Sequence, residues 1–180
     1  WLDSTDGSMY VYYTDPGGAN AQWIGAVSRS GGILQVVSTT KTDTFATTST
    51  TDVDVTGLSA TITPRSTSSK ILVLVSAPFS TTTNQINSIT LTRGGTPIGG
   101  GTIVGSRTSA FKSAYLTSVN TGGMLSGEHL DSPSTTSSIT YQVQAKTSAG
   151  TMTIGISGGD SNAANHPRTS STITLMEVAG

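Results

Sequence analysis

Short runs of apolar and polar residues alternate along most of the chain and are separated by turns of Ser, Thr and Gly. In the clearest run, Ile139 to Lys146, every second residue is apolar, which is typical of a strand with one buried and one solvated face. The run from Ile71 to Val75 is apolar throughout, which fits a central strand between two layers or at a subunit contact. No stretch of a dozen residues has the apolar spacing of an amphipathic helix. The pattern predicts an all-β fold.

The predicted strands of the main part of the chain are short and closely spaced. Gly94-Gly95 is typical of a two-residue hairpin turn, and Ser148-Ala149-Gly150 is expected to join its flanking strands in the same way. About ten short strands without a helix leave two sheets packed face to face or a closed barrel, and we expect a jelly-roll β-sandwich. The predicted strands are Ile33–Ser38, Asp52–Val55, Ala60–Thr63, Lys70–Ser76, Ser88–Arg93, Thr96–Ile98, Ala110–Ser118, Gly122–His129, Ser138–Lys146, Thr151–Ser157 and Ser171–Val178.

The first 30 residues differ from the rest because they hold both tryptophans and most of the tyrosines. We predict a hairpin of Ser8–Thr14 and Ala19–Val27, a small polar linker at Ser28–Gly32, and a division into a hairpin, 1–30, and a knob, 31–180. An isolated hairpin is marginal in water, so it must pack on the following domain or on copies of itself. The residues expected to pack in an oligomeric neck are Trp1, Tyr10, Tyr12, Tyr13 and Trp23. A sugar-stacking platform is the alternative for all of these except Trp1.

Composition and charge exclude several classes of protein. The chain of 180 residues is 34% hydrophobic and only 11% charged, which is not the composition of a disordered protein. A net charge of -1 gives no basic stripe for nucleic acid, and the longest apolar run is too short to span a membrane. There is no Cys for a disulfide or a thiolate metal site. Because the sequence opens at Trp1, we expect it to be a segment of a longer polypeptide.

The densest cluster of ionisable residues is Glu128-His129-Leu130-Asp131. On an extended strand, His129 and Asp131 share one face and could contact a receptor together. Three copies of His129 could also meet on a threefold axis, whereas the simplest interpretation is a solvated strand end. A metal ion needs more ligands than these two, so no metal site is predicted.

A long polar segment, Gly158 to Arg168, separates two strongly predicted strands. Loops on a rigid sandwich often carry binding residues, and Asp, Asn and Arg suit the hydroxyls of a sugar. The alternative is a solvated turn whose side chains bond their own backbone. The candidate receptor-binding residues of this segment are Asp160, Asn162, Asn165, His166 and Arg168.

Catalytic motifs are missing from the sequence. There is no Gly-x-Ser-x-Gly elbow for a nucleophilic serine, and Gly99-Gly100-Gly101 lacks the Lys-Ser/Thr of a phosphate loop. Glu128 and Glu177 are the only glutamates, which leaves few pairs of carboxylates for glycoside cleavage. We therefore expect a protein that is not an enzyme and that uses no cofactor.

Several segments contain short sequence motifs that occur together in one group of proteins. A Trp-x-Asp turn, a Tyr-Val-Tyr-Tyr strand and a closing Gln-Trp-Ile stand at Trp1–Asp3, Tyr10–Tyr13 and Gln22–Ile24. Short motifs continue the likeness at Gly32–Ser38, Ser68–Val73, Leu91–Thr96 and Ile173–Gly180. In these features the chain resembles tail-fibre and other receptor-binding appendage proteins of marine tailed phages, especially cyanophages.

The resemblance implies a homotrimeric fibre with a C-terminal jelly-roll knob, exposed on a virion and attached to the rest of the fibre. Such a knob would bind a host surface receptor, a glycan or an outer-membrane component, without catalysis and without inserting into the membrane. The first alternative is a structural virion protein with no receptor of its own, such as a capsid-decorating head fibre, a neck or a baseplate component. The second is a depolymerase domain.

Overall fold

The computed structural model describes residues 9–14, 17, 21–25 and 32–180, and none of these residues lies in a helix. The strands are β1 (Tyr10–Thr14), β2 (Ala21–Gly25), β3 (Ile33–Lys41), β4 (Phe45–Thr47), β5 (Val53–Ile62), β6 (Lys70–Thr81), β7 (Gln85–Arg93), β8 (Thr96–Ile98), β9 (Lys112–Leu116), β10 (Gly122–Asp131), β11 (Ile139–Thr147), β12 (Met152–Ile154) and β13 (Ser171–Val178). The all-β prediction is confirmed for the described part of the chain.

The N-terminal strands β1 and β2 pair with each other in antiparallel register, with Tyr12 opposite Trp23. This confirms the predicted hairpin. Trp1 and residues 28–31 of the predicted linker lie outside the described residues. The division of the chain at residue 30 stays a prediction.

The remaining strands form two antiparallel sheets. The β6 sheet has the order β3-β13-β6-β12-β4, with β10 on the other side of β6, and the β7 sheet has the order β5-β11-β7-β8, with β9 also paired to β7. Three jelly-roll strands are each interrupted and appear as two pieces, namely β3 and β4, β8 and β9, and β12 and β13. We call each complete jelly-roll strand a ribbon. Counted in this way, eight ribbons lie in the orders 1-8-3-6 and 2-7-4-5, which is the double Greek key of a jelly roll. The predicted jelly-roll sandwich is confirmed.

The hydrophobic core lies between the two sheets. From the β6 sheet it includes Ile71, Val73 and Phe79, all fully buried, and from the β7 sheet Leu91 and Tyr141. Along β11 the buried residues alternate with partly exposed or exposed ones, as the sequence pattern predicts. In β6, Leu72 and Leu74 point outward and are only half-buried, so the uninterrupted apolar run does mark a strand with two apolar faces.

Two turns test the sequence predictions in opposite ways. Gly94 and Gly95 have φ values of 55° and 84° and join β7 to β8, which confirms the two-residue hairpin. The hairpin expected at Ser148–Gly150 is wrong, because β11 and β12 lie in different sheets. Both neighbours of β11 are already taken by β5 and β7, so the chain must cross the sandwich at this turn.

Strand β5 is longer than the sequence pattern predicts. The two strands expected at Asp52–Val55 and Ala60–Thr63 are one strand, Val53–Ile62, because Gly57 adopts a φ of 79° and bends the strand without ending it. The register with β11 shifts between Gln142 and Gln144 at this bulge. The Gln142 amide nitrogen donates to the carbonyls of Val55 and Leu58, at 3.0 and 3.3 Å. The bulged backbone therefore keeps hydrogen-bond partners.

Glu177 of β13 is a fully buried carboxylate that ties three segments together. Its Oε1 accepts the backbone N–H of Arg65 at 2.6 Å, and its Oε2 accepts the Gln35 side-chain amide at 2.6 Å. Burial raises the pKa of Glu177, but the hydrogen bonds from the Arg65 and Gln35 amides stabilise the charged form, and the pKa lies below its ordinary value. The carboxylate thus anchors β13 to β3 and to the turn before β6.

The lowered pKa of Glu177 predicts a loss of stability in acid. Unfolding raises this pKa toward its ordinary value of 4.5, so the stabilisation is complete above that pH and is lost as the pH falls through the lower pKa of the folded state. Glu177→Gln should lower the free energy of unfolding by about 1–2 kcal/mol near pH 7 and by much less near pH 3. Urea unfolding at both pH values measures the difference. An equal deficit at both would show that the charge is not what stabilises the strand.

Candidate functional site

The polar segment predicted between two strands is an insertion in the last ribbon of the β6 sheet. β12 pairs with residues 79–81 of β6 and β13 with residues 70–76, so residues 155–170 interrupt one continuous ribbon. We call residues 155–170 the insertion. It leaves β12 with the Gly155 N–H donating to the Pro78 carbonyl at 2.9 Å and then bridges from Gly158 to Thr121, beside β10. Because β10 and β12 lie on opposite sides of β6, the insertion crosses that strand.

The root of the insertion is closely packed and fixed at both ends. Pro78 and Ser80 of β6 face outward but are buried where the insertion crosses. A Cβ on Gly122 would overlap the Ser157 carbonyl, so only glycine allows β10 to begin there. On the return, the Thr169 N–H donates to the Gly155 carbonyl at 3.0 Å. The insertion is therefore a loop that is fixed on the sheet at a narrow root.

Within the insertion, four of the polar side chains interact in two pairs, one ion pair and one hydrogen-bonded pair. Arg168 and Asp160 form an ion pair of 2.8 Å, with both side chains about half exposed. The Ser161 hydroxyl bonds His166 Nδ1, which also accepts the Ser161 backbone N–H at 3.3 Å. Two short backbone hydrogen bonds, from Ala163 to Ser161 and from His166 to Ala163, complete the turn. Three of the five predicted binding residues of the segment thus shape the loop itself.

The other two predicted residues, Asn162 and Asn165, lie at the exposed tip of the insertion. Neither side chain hydrogen-bonds another described residue, and each offers both a donor and an acceptor. The loop that carries them is held by Asp160, Arg168 and His166. The structure therefore brings the segment's predicted residues together as two free amides on a supported turn.

Asp131, the second predicted carboxylate, is not available to a receptor. Asp131 is only 7% exposed, and both of its carboxylate oxygens accept hydrogen bonds from Arg93 Nη1, at 2.8 and 2.9 Å. The Tyr141 hydroxyl donates to Oδ2 at 2.6 Å. Burial and the neighbouring Asp131 raise the pKa of Tyr141 well above its usual range, so the phenol keeps its proton. Here the prediction is corrected: Asp131 faces into the sandwich edge and joins two strands of the β7 sheet to β10.

His129 shares the face of Asp131, as the strand alternation predicts, and is half-buried beside Gly99. Among residues 32–180 and the described hairpin positions, no three or more His, Asp or Glu side chains converge in a way that could hold a metal ion. From Gly122 to His129 the strand runs about 24 Å. His129 and Asp131 therefore lie far along β10 from the root of the insertion and do not form one site with it.

The hairpin presents its aromatic side chains at the surface. Tyr12 and Trp23 face each other across the strands with ring centroids 5.0 Å apart and an interplanar angle of 58°. Tyr12, Tyr13 and Trp23 are each about half exposed, while Tyr10 is less exposed. Apolar area of this kind is typical of a contact surface. The oligomeric neck and the sugar-stacking platform both stay predictions.

An apolar row crosses the outer face of the β6 sheet. Val36, Met176, Leu72 and Leu130 lie directly opposite one another on four neighbouring strands. Val36 and Leu130, on the two edge strands, are 55% and 50% exposed, and the two central residues are half-buried. We call these four residues the apolar row. A continuous apolar band on an outer sheet face is a second surface suited to contact with another protein.

A groove that the sequence analysis did not predict lies on the opposite sheet. It is a depression of about 360 Å³ between the outer face of the β7 sheet and the connection from β8 to β9. Asp52 and Lys146 form an ion pair of 3.0 Å in its floor, and Arg107 lies on its rim. The only signal in the sequence is a cationic residue in a glycine-rich connection, which is too common to point to a site.

Among the described residues, no helix is long and apolar enough to cross a membrane.

No protein-family model and no curated protein matches the chain. A structural comparison aligns 95% of this chain with 44% of a chain from a structure of infectious bursal disease virus, strain Gx, at 17% sequence identity and a TM-score of 0.38. The chain thus spans less than half the length of that viral chain, and a TM-score of 0.38 is too low to support an argument about its function.

Proposed function

We propose that this chain is the terminal knob of a virion appendage and that it binds a glycan on the host surface through the insertion, without catalysing a reaction. The observation that carries the proposal is the pair of free amides at Asn162 and Asn165, which lie at the tip of a loop whose root is fixed. The sequence resemblance to phage appendage proteins supplies the biological setting. The rest of the fibre and a host surface glycan are the proposed partners.

The chemistry of the insertion suits sugar hydroxyls. An amide side chain donates and accepts at once, as a hydroxyl does, so Asn162 and Asn165 can pair with sugars without a charge. The Asp160–Arg168 ion pair and the Ser161–His166 contact order the loop before a ligand arrives. Less entropy is then lost on binding, which favours affinity.

A homotrimer is the proposed assembly of the knob. The aromatic hairpin and the apolar row both expose apolar area that copies of the chain would bury. Three insertions on one particle would bind together, and avidity would multiply a weak single contact by orders of magnitude. Light scattering at micromolar concentration tests this assembly, and a monomer would contradict it.

A structural virion protein without a receptor is the second candidate. It is favoured by the ion pair and hydrogen bonds that occupy Asp160, Arg168 and His166, since these groups satisfy each other without a ligand. A head fibre, neck or baseplate component would need the contact surfaces but not the free amides. Labelling this domain on intact virions would distinguish a fibre tip from the capsid surface.

A depolymerase is the third candidate, and the contact between Ser161 and His166 is its only support. A nucleophilic serine needs a base that a third group orients, as in hydrolase triads. Here the adjacent Asp160 carboxylate is paired with Arg168, and no described side chain bonds the His166 ring apart from Ser161. Incubation with host polysaccharide should leave its length unchanged. Shortening that Ser161→Ala abolishes would replace the binding proposal by a catalytic one.

The proposal is tested by labelling the purified chain with a fluorescent dye and measuring its binding to cyanobacterial strains and to an array of bacterial glycans. Asn162→Ala/Asn165→Ala should reduce the signal about tenfold, because two amide hydrogen bonds to the sugar are lost. Thermal stability should stay unchanged, since neither side chain has a partner in the protein.

The matched control is Asn84→Ala, which removes another exposed asparagine without a side-chain partner, in the turn between β6 and β7. It should keep full binding. Equal binding by all three proteins, or no binding to any glycan or cell, would contradict a receptor site in the insertion.

A further inference from the structure

The groove on the β7 sheet has a satisfied and nearly neutral floor. Lys146 Nζ contacts Asp52 Oδ2 at 3.0 Å, and the Thr90 hydroxyl donates to Asp52 Oδ1 at 2.9 Å. Lys146 also approaches the Ser109 carbonyl at 3.5 Å. The carboxylate of Asp52 is thus matched by one cation and one hydroxyl. No unpaired negative charge remains in the floor to repel an anion.

The rim of the groove carries a cation that is almost free. Arg107 is exposed, and its guanidinium makes one long hydrogen bond, from Nη1 to the Val104 carbonyl at 3.3 Å. A guanidinium has five N–H donors in a planar fork that matches a carboxylate. With Asp52 already paired to Lys146, the charge of Arg107 gives the groove a net charge of about +1, on a chain whose net charge is -1. The charge of the lining therefore attracts an anion to this groove.

Hydroxyls and apolar side chains line the groove and a second depression beside it. A second depression, of about 170 Å³, shares Thr108 and Lys146 with the first and extends it toward Ser148. Ile98 and Ser109 line the main part, one apolar and one polar, and the volume of about 360 Å³ lies in the range of small-ligand sites. The hydroxyls of Thr50, Thr108, Ser109 and Ser148 are exposed or half-buried there, and together with apolar side chains such as Ile98 they suit the hydroxyls and C–H faces of sugar rings. The other lining hydroxyls are buried and bonded within the protein, at Ser88, Thr90 and Thr147. Two adjoining depressions fit a chain of rings better than a single small molecule.

We propose that this groove binds an acidic polysaccharide, with Arg107 pairing with the carboxylate of a uronate unit and the Ser and Thr side chains contacting hydroxyls of neighbouring units. The site lies on the sheet opposite to the insertion. It therefore holds or fails independently of a receptor site at Asn162 and Asn165.

Titration of the full chain with an oligomer of galacturonate, followed by calorimetry and by backbone amide shifts, tests the proposal. Binding should shift amides of the 99–111 connection and weaken as salt is added, since a charge pair is involved. Arg107→Gln should weaken binding about tenfold. The control Lys70→Gln removes an exposed cation on the β6 sheet and should leave the affinity unchanged within about twofold.

Two comparison ligands decide whether the groove recognises acidic sugar. An oligomer of galactose of the same length should bind at least about tenfold more weakly, since it lacks the carboxylate. A glutamate oligopeptide should also bind more weakly, since it lacks the ring hydroxyls. Equal binding of the neutral sugar, equal binding of the acidic peptide, or unchanged binding by Arg107→Gln would each overturn the proposal.

Discussion

Asp131→Ala is expected to lower the free energy of unfolding by about 2–4 kcal/mol, the largest loss for any single charged residue described above. The substitution leaves the Tyr141 hydroxyl without an acceptor at a fully buried position and the Arg93 guanidinium without its counter-ion. The cost stays below that of a fully buried pair because the Arg93 side chain is 33% exposed and water can replace part of its partner. Thermal unfolding should show a melting temperature lower by roughly 5–15 °C.

The control for this prediction is Asp160→Ala. The Asp160–Arg168 pair has the same N–O distance of 2.8 Å as the Asp131–Arg93 pair, but its side chains are 48% and 56% exposed. Exposed pairs contribute about 0–1 kcal/mol because water screens them. Asp160→Ala should therefore change the stability by less than about 1 kcal/mol. Similar losses for both variants would show that burial does not decide the value of these ion pairs.

Tyr141→Phe separates the two partners of Asp131. It removes one hydrogen bond from a carboxylate that keeps Arg93, so the loss should be about 1–2 kcal/mol. If Asp131→Ala and Tyr141→Phe are combined, the losses should not add, since both remove the same hydrogen bond. The double-mutant cycle thus measures how much of the Asp131 effect comes from the phenol.

The sequence predicts the fold well where local pattern alone decides the structure. Alternation along β11 identifies its buried face, and two consecutive glycines are enough to set the turn between β7 and β8. It fails where a neighbour elsewhere in the chain decides. The turn at Ser148–Gly150 has the residues of a hairpin, but β5 and β7 already occupy both sides of β11, which no local pattern contains. Short β4 is missed because its three residues become a strand only by pairing with β12.

The candidate site shows the same limit at the level of side chains. The sequence correctly places His129 and Asp131 on one face of a strand, but it does not show that this face is buried. Arg93 is 38 residues away in sequence and Tyr141 is 10 residues away, and only the folded sheets bring them to the carboxylate. The segment from Gly158 to Arg168 is predicted as a polar loop from its residue types and from its place between two strands. The root of the insertion depends on contacts with β6 and with the start of β10 that the sequence does not encode locally.

Val36→Lys/Leu130→Lys is expected to convert the proposed trimer to monomers at micromolar concentration, because it places two charges in the apolar row. Both residues are about half exposed in the single chain, so the lysines can stay in water there and the fold should be retained. In an assembly that buries the row, each charge would have to lose its water without a partner, which costs several kcal/mol. Sedimentation velocity measures the mass, and circular dichroism checks that the fold is kept.

The matched control places the same charges on the other sheet. Ile86 and Tyr115 also lie directly opposite each other and are 48% and 59% exposed, so Ile86→Lys/Tyr115→Lys adds two lysines at equally exposed apolar positions. If the row is the contact, this control should keep the mass of the natural assembly while the row variant loses it. Dissociation by both variants would point to a general effect of charge. A row variant that keeps its mass would remove the apolar row from the interface and leave the aromatic hairpin, with Tyr12 and Trp23, as the contact that holds the copies together.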